Sequence, residues 1–161
     1  MQFNWWLLLV AGLIPLFVGF IWYNPKVFGN TWMKINGFTE ESMKGANMAL
    51  IFGLCYLFAC MLAMSMMSIV IHQMGIGSVF QGDETLESAA YLKNFFDTYG
   101  TRFRTFKHGA LHGTIAALFI ALPILGTNAL FERRGFKYIA IHTGYWIVTL
   151  ALMGGIICAF M

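Results

Sequence analysis

The sequence predicts an all-α protein, a four-helix transmembrane bundle forming one domain over residues 1–161. Three observations carry that prediction. Hydrophobic residues make up 59% of the chain and charged residues only 11%, against about 25% charged in an average soluble domain. A water-soluble fold of this size has too much surface for its volume to hide so many apolar side chains. Four stretches, at about 3–23, 46–71, 108–131 and 138–161, contain no Asp, Glu, Lys or Arg, and each is long enough to cross about 30 Å of hydrocarbon. No alternating strand pattern appears, and a lipid-facing backbone has to satisfy its own hydrogen bonds, which leaves helices as the form these stretches take.

The first stretch lacks the positive n-region and the small-residue cleavage site of a signal peptide, so it is expected to stay in the mature protein. Pro15 and Pro123 each remove one helical hydrogen bond and are expected to kink the first and third helices. Such kinks serve as hinges in some proteins, but proline is also common in membrane helices for packing alone. Trp5, Trp6, Trp22, Tyr23, Tyr145 and Trp146 sit near span ends, where amphipathic rings settle at headgroup level.

Four crossings put both termini on one side. The connections 24–45 and 132–137 carry Lys26, Lys34, Lys44, Arg133, Arg134 and Lys137. The terminal side carries Lys93, Arg102, Arg104 and Lys107. The excess of basic residues belongs inside, so the expected orientation has both termini outside.

The long connection 72–107 carries Leu92, Phe95, Phe96, Tyr99, Phe103 and Phe106 at helical spacing, with Asp83 placed to cap the start. An amphipathic helix lying on the membrane surface fits this stripe, and docking of a partner is the alternative. On the other side, Thr39 followed by Glu40 and Glu41 reads as a cap with acids suited to the helix dipole. The second helix is therefore expected to start there and project from the bilayer, with a length of about 45 Å.

The residues that could carry chemistry are few. His108 and His112 share one helix face, four residues apart, and His72 closes the second span on the same side. Three imidazoles near one interface could bind zinc, copper or a haem iron; they could equally be hydrogen-bond partners between helices. His142 starts the fourth span on the opposite side. Cys60, Met64 and Met67 form a soft-ligand stripe at helical spacing suited to monovalent copper, or fill gaps between packed helices. The three cysteines Cys55, Cys60 and Cys158 lie in apolar runs and read as small buried hydrophobes. Gly109 and Gly113, with Gly154 and Gly155, supply small residues for close helix packing, within the chain or between copies.

No acid lies within a span, so the usual proton or sodium relay of a coupled transporter is missing. Neither a phosphate-binding loop nor a nucleophile elbow is present, and no basic patch points to nucleic acid. No enzymatic activity and no cofactor is expected.

The stretch Gly19-Phe20-Ile21-Trp22-Tyr23-Asn24-Pro25-Lys26-Val27-Phe28-Gly29-Asn30-Thr31-Trp32-Met33 is the most distinctive in the chain. With Gly144-Tyr145 and Met153-Gly154-Gly155-Ile156, it resembles a family of small bacterial membrane proteins catalogued as domain of unknown function 1761. That resemblance implies a four-helix bacterial membrane protein; with the orientation above, it is expected in the bacterial inner membrane with both termini periplasmic. Within the motif, Pro25 is expected to stop the first helix and Gly29 to permit a tight turn, so that Trp22, Tyr23, Phe28 and Trp32 wedge the loop into the interface beside Tyr145. An interfacial clamp is one reading; a pocket for a lipid headgroup or partner helix is the other. The expected function is that of a structural or accessory membrane protein, surrounded by lipid, that self-associates or joins a larger complex. A small-solute transporter or channel subunit is the second possibility and a histidine-ligated metal or haem protein the third.

Overall fold

The computed structural model describes residues 4–161, the side chain of Glu40 excepted; Phe3, the expected start of the first span, lies outside the described residues. Among them every regular element is a helix. Three helices are long and apolar enough to cross a membrane: α5 (Met48–Val70), the continuous run Phe106–Phe131, and α10 (Phe136–Phe160), with mean hydropathies of 2.2, 1.9 and 1.7. A fourth apolar helix, Trp6–Trp22, is shorter, about 25 Å at 1.5 Å per residue. The backbone N–H of Asn4 donates to the carbonyl of Met161 at 3.4 Å, so the two ends of the described chain meet at one end of the bundle.

Both prolines leave marks. The first apolar helix divides into α1 (Trp6–Gly12) and α2 (Ile14–Trp22), with Leu13 between them and Pro15 in the first turn of α2. Leu13 donates to Val10 rather than to Leu9, and the freed Leu9 carbonyl accepts from the Tyr56 hydroxyl at 3.1 Å. The third helix is α8 (Phe106–Ala116), a π-helical turn at Ala117–Ala121 and α9 (Leu122–Phe131), with Pro123 just past the wide turn. Insertion of such a turn is a recognised source of helix bending.

Two connections differ from expectation. α3 (Gly29–Asn36) is followed by a single turn, α4 (Glu40–Met43), which Thr39 does cap, in a reciprocal pair with Ser42. The helix then stops instead of running on into the membrane: Gly45 takes a left-handed backbone angle, φ 85°, and Asn47 caps a fresh start at Met48. On the terminal side, α6 (Gln73–Val79) precedes α7 (Leu86–Tyr99). Thr85, not Asp83, is the N-cap of α7. Asp83 instead accepts from the Thr85 amide and the Ser88 hydroxyl, bonds that hold its carboxyl below the ordinary range. Phe95 and Phe96 face partly inward on α7, but Phe103 and Phe106 leave the stripe because the chain turns after Tyr99.

Of the three long helices α10 is the most enclosed, 44% buried against 22% for α5 and 17% for Phe106–Phe131. Its closest neighbour is α8, and glycine makes that approach possible. A Cβ on Gly109 would run into the Gly154 carbonyl, and one on Gly113 into the Leu150 carbonyl. The small-residue pattern is therefore used inside the chain. The core around this seam gathers toward the end where the termini meet: Met66, Val70, Ile71, Met153, Ile157 and Cys158 are almost fully buried. Of the other cysteines, Cys55 is exposed and Cys60 half-buried, contrary to expectation, because α5 packs on α1 along one side here and leaves the rest of its surface uncovered. Met67 lies in the core whereas Met64 points outward, so the Cys60–Met64–Met67 stripe is split between two environments.

Because backbone atoms, not flexible side chains, oppose Gly109 and Gly113, Gly113→Val is expected to destabilise the protein by about 2–3 kcal/mol. Gly53→Ala, with nothing within 4 Å of the new methyl group, is expected to leave the thermal midpoint unchanged or slightly raised. Thermal unfolding of both variants in the same detergent checks this pair.

Candidate metal centre

His72, His108 and His112 come together where α5 ends beside the start of α8. Each offers one ring nitrogen such that all three lie within 4.8 Å of one another. His72 Nε2 and His108 Nε2 are 2.9 Å apart, so one of the two carries the proton and the other accepts it. The ring of His112 is 4.8 Å from that of His72 and 4.5 Å from that of His108, centre to centre.

Sequence spacing explains only the His108–His112 pair. His72 is brought to it by three sets of contacts. The chain leaves α5 after Val70, and His72 stands at the head of α6. Gln73 next to it is buried, and its carboxamide nitrogen donates to the carbonyls of Tyr99 at 2.9 Å and Arg102 at 2.8 Å. The start of α6 is thereby tied to the end of α7. Cys158, near the end of α10, is fully buried and its thiol reaches the carbonyls of Val70 and Phe103, both at 3.3 Å. These two carbonyls flank His72 and His108 in the chain, so one small side chain links both arms of the cluster to α10. Finally, Arg104 Nε donates to the Cys158 carbonyl at 2.8 Å. Cys158 is spent on this bracing and is not one of the three converging ligands.

Phe103 holds a left-handed backbone angle, φ 62°, uncommon and strained for a bulky residue. That angle lays its ring on His108, 5.0 Å between centres and 17° from parallel. Beside the histidines is a cleft of about 370 Å³ whose lining includes His72, Gln73, Phe95, Tyr99, Arg102 and Phe103. The sequence pattern did not single out Gln73, and it placed Phe103 only in the aromatic stripe, not beside a histidine. A polar residue just past an apolar span was a usable signal for Gln73; nothing in the pattern marks Phe103 as a neighbour of His108.

The aromatic motif lies at the other end of the bundle, and the structure assembles it. Trp22 Nε1 donates to the Ile141 carbonyl at 3.1 Å while its ring meets Phe28 at 4.6 Å. Tyr23 packs between Trp32 and Tyr145, each 5.4 Å away by ring centres. The Tyr145 hydroxyl donates to the Pro15 carbonyl at 2.9 Å, and Gly19 leaves room for the Tyr145 ring. Gly29 is packed so closely on the Tyr23–Asn24 backbone that no side chain fits. Pro25 is exposed in the turn that follows α2. His142 belongs to this end, its Nδ1 3.0 Å from the Tyr23 hydroxyl, and takes no part in the three-histidine group. Three side-chain hydrogen bonds thus join α2 and Tyr23 to α10, and Trp32 of α3 packs on Tyr23, an arrangement suited to clamping helices.

At the histidine end, Gln73→Met keeps the side chain's volume and strips two part-buried carbonyls of their donor. The expected cost is about 1–3 kcal/mol. Hydrogen exchange is expected to quicken around residues 72–80 and 99–104 and to stay unchanged around Trp22 and Tyr23.

Comparison with curated proteins and with solved structures finds no match. A family model described as "Protein of unknown function (DUF1761)" matches residues 6–158, nearly the whole of the described chain and both of its ends. The chain belongs to the DUF1761 family.

Proposed function

We propose that this chain is a multi-pass membrane protein that holds one divalent transition-metal ion, with zinc the best fit, through His72, His108 and His112. The observation carrying the reading is the convergence of three imidazole nitrogens within 4.8 Å, from residues that lie on two elements 36 positions apart. Tetrahedral zinc with nitrogen ligands at about 2.0–2.1 Å sets those nitrogens about 3.3 Å from one another. The His72–His108 pair is already tighter than that, and His72 is exposed, so rotation of its ring is enough to open the group around an ion. Imidazole suits zinc, and three protein ligands leave the fourth position for water or an exchangeable ligand. No carboxylate or thiolate belongs to the group, so an ion bound there keeps a net positive charge.

In this reading the protein sits in a bacterial inner membrane with both termini periplasmic, in accord with the six basic residues on the opposite connections. The centre then faces the compartment from which metal arrives. The broad apolar faces of α5 and of Phe106–Phe131, largely exposed within one chain, favour a second, compatible role as a non-enzymatic accessory subunit. Self-association or assembly into a larger complex has to use those faces, because the glycines of α8 are already covered by α10.

Purified protein is expected to take up one zinc ion per chain, and cobalt in its place is expected to give the visible bands of a tetrahedral site. His108→Ala and His112→Ala should each weaken binding by on the order of 100-fold, whereas His142→Ala should leave it unchanged. Because an imidazole must be neutral to donate its lone pair, affinity is expected to fall as the solution is made acid. A preparation that takes up no metal, by elemental analysis and by calorimetric titration, overturns the proposal.

A further inference from the structure

The cleft beside the three histidines has a lining that discriminates by charge. Its walls are apolar and aromatic, from Ile76, Phe95, Tyr99 and Phe103, and its polar lining residues are His72, Gln73 and Arg102, with the Gln73 carboxamide nitrogen already committed to two backbone carbonyls. Arg102 lies over two of those rings, 5.6 Å from Tyr99 and 5.1 Å from Phe103, which holds a planar cation in one place. No Asp or Glu lines the cleft. The nearest acid on α7 toward this end, Asp97, is engaged by Lys93 at 2.6 Å. A site with one fixed cation, no acid and aromatic walls is complementary to an anion that carries an apolar body.

Position narrows the class further. The cleft sits where α5 ends and α8 begins, beside the amphipathic α7, and the end of a membrane-spanning helix is where hydrocarbon gives way to headgroups. Its volume of about 370 Å³ holds about a dozen groups the size of a water molecule, enough for a small head and the first part of a chain. A carboxylate fits the guanidinium fork with two parallel hydrogen bonds. One of its oxygens is also a suitable fourth ligand for an ion held by the histidines.

We infer that this cleft binds the carboxylate end of a long-chain fatty acid drawn from the bilayer, with Arg102 as the anion anchor. The tail lies along Ile76 and Phe95, and the head lies between Arg102 and the three-histidine centre. The inference rests on the metal reading above, since the ion supplies the second positive charge. Phe103, held in its strained conformation, forms the wall shared by the cleft and His108.

The test uses the full chain in a nonionic detergent, loaded with zinc, and measures binding of dodecanoate, dodecanol and dodecyl phosphate by native mass spectrometry. Dodecanoate is expected to bind once per chain, about tenfold or more tighter than dodecanol. Arg102→Met is expected to remove that preference and Arg102→Lys to restore part of it, with zinc uptake the same in all three proteins. Unchanged zinc uptake also reports that the exposed Arg102 variants are folded. Equal binding of acid and alcohol, or a preference that survives Arg102→Met, overturns the inference and leaves the metal centre standing. Tighter binding of dodecyl phosphate than dodecanoate overturns it in favour of a phospholipid headgroup. If the unaltered chain takes up no zinc, the metal reading fails first and this inference with it.

Discussion

The contact on which the rest of the molecule depends is the backbone-to-backbone approach of α8 to α10. At Gly109 and Gly113 the helices come so close that a single methyl group has no room. In a membrane the hydrophobic effect does little to pull apolar helices together, and close van der Waals packing takes its place. This seam therefore fixes the rotation of α8, not merely its proximity. With the glycine edge turned into α10, His108 and His112, each one position earlier in the chain, are carried to the neighbouring face where α5 ends. The same four-residue repeat sets both the seam and the histidine pair, so the geometry of the cluster is inherited from the packing.

From that seam the order spreads through a few bonds at one end of the bundle. Cys158 connects α10 to the carbonyls of Val70 and Phe103, and Gln73 fastens the head of α6 to the close of α7. Each of these is a small polar group buried among apolar neighbours, where an unmade hydrogen bond is costly. Together they hold in register the loops that present His72 and Phe103. This end of the protein is well braced although its histidines come from loops and helix ends.

Much of the fold was legible in the sequence because membrane spans announce themselves by composition. The three long helices begin and end within a few residues of their expected limits. What escaped depends on single backbone angles. Gly45 breaks the projected extension of the second helix, and no apolar periodicity distinguishes a helical run of Thr39–Lys44 that continues from one that stops. The cap at Thr85 rather than Asp83 is a two-residue choice between similar side chains, and it displaces the start of α7. The aromatic motif was visible as a cluster, since tryptophan and tyrosine are few and crowd together between Trp22 and Trp32. The meeting of His72 with His108 and His112 was visible only as a shared side of the membrane. Bringing them within bonding distance required Gln73, Cys158 and a left-handed Phe103, and a sequence pattern specifies none of these pairings.

The two ends of the bundle differ in what their polar groups have left to do. At the aromatic end the Trp22 and Tyr145 side chains each donate to a backbone carbonyl of a neighbouring helix, and the Tyr23 hydroxyl meets His142. These hydrogen bonds close the structure on itself, with His142 Nε2 left buried and without a hydrogen-bond partner among the described residues, and the ring packing around Tyr23 is continuous from Trp32 to Tyr145. At the histidine end, two ring nitrogens that both favour a proton or a cation face each other at 2.9 Å, with a third imidazole stacked edgewise against them. Two neutral imidazoles can share one proton there, and His112 brings a third ring nitrogen within 4.8 Å of theirs. Imidazole nitrogens are held that near one another by the packing of α5 against α8, and among the described residues none of the three is tied to a backbone carbonyl as the aromatic side chains are. In the metal reading proposed above, one cation placed among them would engage all three at once, which puts the candidate chemistry at the end where the termini meet.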